Sequence, residues 1–129
     1  MINKICGIFI FNSKKKLFLI SPDDNKWSIP FGTHYDNKNY LEVAIRGIYS
    51  QTGISLGNYD EKYINYLKPT ENVIPFLILG ENSFDNVDCY ANLSYDEEPP
   101  IEDWDWFSVK DAKSLLSKEQ NTILQTIKL

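Results

Sequence analysis

The chain is short of the residues that build metal and redox centres: its 129 residues include two cysteines and one histidine. Cys6 and Cys89 lie in apolar, strand-like segments without metal-ligand spacing, which predicts reduced core thiols in a cytosolic protein. Long apolar runs are also missing, so no membrane span is expected. The opening MINKICGIFIF lacks an extended apolar core and a small-residue cleavage site, so no signal peptide is expected either. Basic residues are in deficit, 13 Lys and Arg against 18 Asp and Glu, for a net charge of -5. That balance argues against a general nucleic-acid surface or an anionic-membrane surface, both of which reward clustered cations. The one basic run, Lys14 to Lys16, falls between two strand-like segments and reads as a solvated hairpin turn. Internal repeats, low-complexity tracts and linkers are absent as well.

What is present suits one globular domain over residues 1–129: 43% hydrophobic and 14% aromatic residues, at a common domain length. Ile5 to Phe11 and Lys16 to Ile20 read as paired strands, and Pro22 with the Asp23-Asp24-Asn25 cluster reads as a break before Trp27. Leu41, Ala44, Ile45 and Ile48 recur at helical spacing; Asp36, Asn37 or Asn39 would cap the start and Gly53 the end. Further strand-like runs follow at 62–67, 73–79, 87–93 and 104–109. Ser108 with Asp111, and Ser117 with Gln120, have capping-box spacing ahead of two short helices. Leu115, Leu116, Ile123, Leu124 and Ile127 form their apolar stripe.

Residues 27 to 54, WSIPFGTHYDNKNYLEVAIRGIYSQTGI, carry a family resemblance. The segment is similar to the Nudix box, G-x5-E-x7-R-E-U-x-E-E-x-G-U with U a bulky aliphatic, aligned without a gap from Gly32 to Ile54. Arg46, Ile48, Gly53 and Ile54 match, while the four glutamate positions hold Lys38, Gly47, Ser50 and Gln51. The ending EDWDWFSVKDAKSLL also resembles the family's close, so the likeness spans nearly the whole chain. It implies a Nudix-like α/β/α sandwich with a mixed sheet, and fold alone does not carry function.

Positions 47, 50 and 51 share one helical face, where the family's carboxylates converge on a divalent ion. Magnesium wants several oxygen ligands with charge behind them. Gly47 offers no side chain, Ser50 a neutral hydroxyl, Gln51 a neutral amide, and Lys38 puts a cation in an acid's place. Hydrolysis of the family's usual design is therefore not expected, and no cofactor is expected. Glycine within a helix costs about 0.5 to 1 kcal/mol against alanine, so Gly47 marks close approach of a ligand, a neighbouring backbone or a partner.

The resemblance leaves three functions open. One is a catalytically silent binding protein with a regulatory role, holding a nucleotide or nucleoside-diphosphate derivative, or a protein partner. Its candidate contacts are Gly32, His34, Lys38 and Arg46, with Trp27 on the base side and Tyr35 as a weaker aromatic. The second is a divergent hydrolase using Mg or Mn on acids outside the box, with Glu97 and Glu98 the fallback ligands beside Asp96, Glu102 and Asp103. The third is an assembly protein whose cleft is filled by side chains such as Lys38 or Gln51. Each residue also has an ordinary reading: His34 solvated, Arg46 paired with Glu42 one turn back, the acidic stretch a solvated loop, and the strand aromatics Tyr66, Phe76, Trp104 and Trp106 in core packing.

Overall fold

A mixed sheet forms because two strands of the chain are apolar on both faces. Each is covered on both sides, as buried strands with near-continuous apolar sequence require. The computed structural model describes residues 4–23, 26–34, 39–56, 60–81, 84–85 and 101–129, with Asp23, His34 and Glu81 described in backbone only. In chain order these form β1 (Lys4–Asn12), β2 (Leu17–Asp23), β3 (Lys26–Ser28), β4 (Phe31–His34), α1 (Tyr40–Thr52), a 3₁₀ turn (Glu61–Tyr63), β5 (Asn65–Tyr66), β6 (Val73–Glu81), β7 (Asp103–Phe107), α2 (Val109–Leu115) and α3 (Lys118–Leu124). The strands join in one sheet of order β3-β2-β1-β6-β5, with β4 paired to β1 and β7 to β2.

β1 is the centre. It runs parallel to β6 from Ile5↔Val73 to Ile10↔Ile78, with α1 in the crossover between them. Its other edge is divided: β4 pairs with its first half, from Lys4↔His34 to Gly7↔Phe31, and β2 pairs near its end at Phe11↔Leu17. Alternation along the strands builds two cores. Cys6, Ile8, Ile10, Phe18, Ile20, Ile74, Phe76 and Ile78 face α1, where Leu41, Ala44 and Ile48 meet them. Phe9, Phe11, Leu17, Leu19, Val73 and Leu77 face α2 and α3, with Ala112, Leu116, Ile123 and Leu124. The result is the expected α/β/α layering. Cys6 is a buried free thiol; Cys89 lies outside the described residues, as does the strand expected over 87–93.

Local chemistry fixes the ends of these elements. Asn12 Oδ1 accepts from the N–H groups of Lys14 and Lys16 at 3.0 and 3.1 Å, which closes the three-lysine turn between β1 and β2, with Lys15 at φ 61°. Of the three possible caps of α1, Asn39 is the one used; its side chain accepts from Leu41 and Glu42 N–H. Gly53 ends the helix in the left-handed conformation at φ 76°, and its N–H bonds Tyr49 O. Ser108 and Ser117 cap α2 and α3 by accepting from the N–H groups of Asp111 and Gln120.

Two expectations need correction. Pro22 does not break β2, which continues to Asp23. Two-sided pairing on β2 ends at Ser21↔Asp103, and the β2–β3 register shifts between Ile20 and Asp23, so a residue without an N–H sits where the ladder has already slipped. The run 62–67 is not one strand: Asp60 accepts from Lys62 N–H and winds the chain into the 3₁₀ turn, leaving a two-residue β5. Among the described residues, no helix is long and apolar enough to cross a membrane.

Candidate functional site

The box residues build a joint between α1 and β4. Gly32 and Gly47 meet backbone to backbone: a Cβ on Gly47 would lie 2.1 Å from Gly32 Cα, and one on Gly32 would lie 2.2 Å from Val43 O. Both obstacles are main chain, so no rotamer change relieves them. Close approach of a neighbouring backbone, one of the three causes foreseen for Gly47, is seen here.

One turn on, Gln51 is fully buried, and its Oε1 accepts from Phe31 N–H at 3.0 Å, tying the helix to the start of β4. Its Nε2 is buried without a hydrogen-bond partner among the described residues. Ser50 is 4% exposed. Thr52 Oγ1 donates to Ile48 O and accepts from Ile54 N–H, which fixes the helix exit. The face that should collect acids for an ion is thus closed by bare backbone and one amide. Position 47 has no side chain, and the side-chain carbonyl oxygen of Gln51 accepts from the Phe31 N–H. These residues do not fit a divalent cation. Among the described residues, no group of three His, Cys, Asp or Glu could hold a metal ion.

A second glutamine works on the opposite face. Gln120 Oε1 accepts from Ile29 N–H at 3.1 Å, and its Nε2 donates to Ser28 Oγ at 3.0 Å, which in turn donates to Ile29 O at 2.7 Å. The Ser28–Phe31 segment is therefore held from both layers. Sequence reasoning treated Gln120 as a capping residue, and no local spacing marks a bond to a residue 91 positions away. For Gln51 a signal existed: an amide at an acid position together with a glycine at another.

The remaining candidates are dispersed. Trp27 packs edge-on against Phe107, with ring centroids 4.9 Å apart, in the core under α2 and α3. Arg46 is exposed on α1, across the sheet from that core. Gly32 is brought to Gly47, as described. His34 ends β4, paired to Lys4, and its side chain is not among those described. Tyr35, Lys38, Asp96, Glu97 and Glu98 lie outside the described residues. Glu102 and Asp103 are exposed where β7 begins, and Asp103 Oδ1 accepts from Trp104 N–H. Trp104 and Trp106 pack on Phe18, at ring-centroid distances of 5.9 and 5.1 Å.

The carboxylates with displaced acidity lie away from this joint. Hydrogen bonds from Thr70 Oγ1, Asn72 N–H and the Asn72 amide hold Glu119 below the usual glutamate range. Ser13, through its hydroxyl and N–H, does the same for Asp85.

No family model matches the chain. Solved structures do. The Caenorhabditis elegans Ap4A hydrolase in a binary complex superposes with a TM-score of 0.67 at 16% identity, over 96% of this chain and 93% of that one. The MutT protein of Methanosarcina mazei Go1 gives 0.58 at 18% identity, over 98% and 91%. A Listeria monocytogenes protein described as a Nudix hydrolase gives 0.64 at 14% identity, over 97% and 90%. The fold is that of the Nudix hydrolases. At these identities the likeness is one of architecture, and it runs over nearly the whole of each chain.

Proposed function

We propose that this protein is a catalytically silent member of the Nudix fold that binds a nucleotide or nucleoside-diphosphate derivative, or a protein partner, in a regulatory role. The observation that carries the reading is the Gly32–Gly47 contact, beside which Gln51 bonds Phe31 N–H. A glutamate at 47 has no room, and an acid at 51 would lie fully buried beside an already sealed crossing. Charge burial without a partner is costly, so the joint and an acid-lined ion site exclude each other. The fold neighbours, one of them named as an Ap4A hydrolase, are the basis for a nucleotide-like ligand.

The test is product release by purified, cooperatively melting protein with Mg and with Mn. The substrates are nucleoside triphosphates, nucleotide sugars, ADP-ribose and dinucleoside polyphosphates. No turnover together with nucleotide-dependent thermal stabilisation is expected, because a ligand of the native state raises its stability by mass action. Metal-dependent turnover lost in Glu97→Gln or Glu98→Gln would establish the divergent hydrolase instead. Neither turnover nor stabilisation, with elution as an oligomer, would leave assembly as the function.

A further inference from the structure

At the opposite end of α1 from its glycine cap, an open groove of about 890 Å³ runs between the helix start, the β5–β6 edge and the first residue of β1. Its volume lies in the range of small-molecule sites. Tyr40 and Tyr66 line it while 47% and 75% exposed, and Phe76 lies beneath at 1%. Tyr66 is not a loose side chain: its ring packs edge-on against Phe76 with centroids 5.1 Å apart, and the two residues pair across β5 and β6. A fixed ring with a free flank is a platform for a flat ligand, since offset stacking and edge contacts both add to plain burial.

The charge of the groove is selective as well. The chain carries -5 overall, yet the described lining includes Lys4 and no carboxylate. Asn39 already satisfies the Leu41 and Glu42 N–H groups, so α1 brings the partial positive charge of its amino end rather than open donors.

We infer that this groove binds a small anionic molecule with a flat aromatic ring, the ring on Tyr66 and Tyr40 and the anionic group toward Lys4. The inference rests on the binding function proposed above, and moves the ligand from the box to the amino end of α1. Neither a ring alone nor an anion alone satisfies both halves of the groove.

Titration calorimetry with AMP, adenosine, indole-3-acetate and inorganic phosphate separates these contributions. AMP, indole-3-acetate or both are expected to bind at least about tenfold tighter than adenosine and phosphate, with phosphate and carboxylate as the alternative anions. Tyr66→Ala and Lys4→Ala should each weaken that binding about tenfold while leaving the melting temperature close to wild type, since neither residue is in the core. Binding that falls in Arg46→Ala and not in Tyr66→Ala would overturn the groove and keep a ligand at the box. No binding by any of the four probes would overturn the groove and remove the support for a small ligand altogether.

Discussion

Two glutamines, Gln51 under α1 and Gln120 on α3, hold the same segment of chain from opposite faces of the sheet, and they do it differently. Gln120 completes a circuit: its carbonyl takes Ile29 N–H, its amide N–H goes to Ser28 Oγ, and that hydroxyl returns to Ile29 O. Among the described residues, Gln51 makes one side-chain bond, to Phe31 N–H, and leaves its Nε2 buried without a partner. The packing beside them differs in the opposite sense. Side chains separate α3 from the sheet, whereas α1 reaches β4 through two glycines in contact. The joint between α1 and β4 is thus the sterically tighter of the two and the less complete in hydrogen bonding among the described residues. A joint of bare backbone gains close packing, and beside it one amide nitrogen has no hydrogen-bond partner among the described residues.

The largest effect that would break this comparison is steric. Gly47→Ala should cost about 3 kcal/mol or more, because the three atoms nearest the added carbon are all β4 main chain, and Gly47→Glu should prevent folding rather than create a hydrolase. Urea midpoints and soluble yield measure both. A folded Gly47→Glu protein with Mg-dependent turnover would refute the sealed-joint reading.

Next in size are the glutamines. Gln120→Met removes two side-chain bonds and should cost about 2 kcal/mol, whereas Gln51→Met removes one bond and one unsatisfied donor and should cost about 1 kcal/mol or less. Equal losses in denaturant unfolding would mean that Gln51 Nε2 has a partner after all.

The smallest effect concerns acid. The three hydrogen bonds on Glu119 favour its ionised form in the folded chain and lower its pKa. The stability this supplies is fully present above the unfolded glutamate value of about 4.3, and is lost as pH falls through the lower folded value. Glu119→Gln should therefore flatten the acid limb of a stability-against-pH curve by a few tenths of a kcal/mol, since the group is near solvent. No described carboxylate does the same for the α1 joint, so the Gln51 variants should leave that limb unchanged.

Much of the architecture was legible because it is written in local chemistry. Asn39 and Gly53 bracket a helix whose apolar residues recur at helical spacing, and Asn12 with three lysines spells a turn between two apolar runs. Serines three residues ahead of Asp111 and Gln120 mark the last two helices. What could not be read depends on contacts between distant residues. Trp27 has the exposure pattern of a loop aromatic in the sequence, and only the fold shows Phe107 against it. Tyr63 favours strand by type, and Asp60 overrides it by capping a turn. At the box, the absence of acids was plain from four letters. That Gln51 ties α1 to Phe31 N–H required the position of β4. Lys4 drew no notice because a lone lysine acquires meaning only through the tyrosines the fold sets beside it.

The crossing of Gly32 and Gly47 also imposes an order on any route to a carboxylate site at these positions. With the two main chains in contact, an acid introduced first at position 47 meets a wall, while acids at 50 or 51 alone would lie buried without the third ligand. The strand must withdraw from the helix before the first carboxylate is tolerated, and the strand has no reason to withdraw until the carboxylate is there. Single acidic substitutions are therefore strongly epistatic at this crossing, and the closed joint is kept by that mutual dependence.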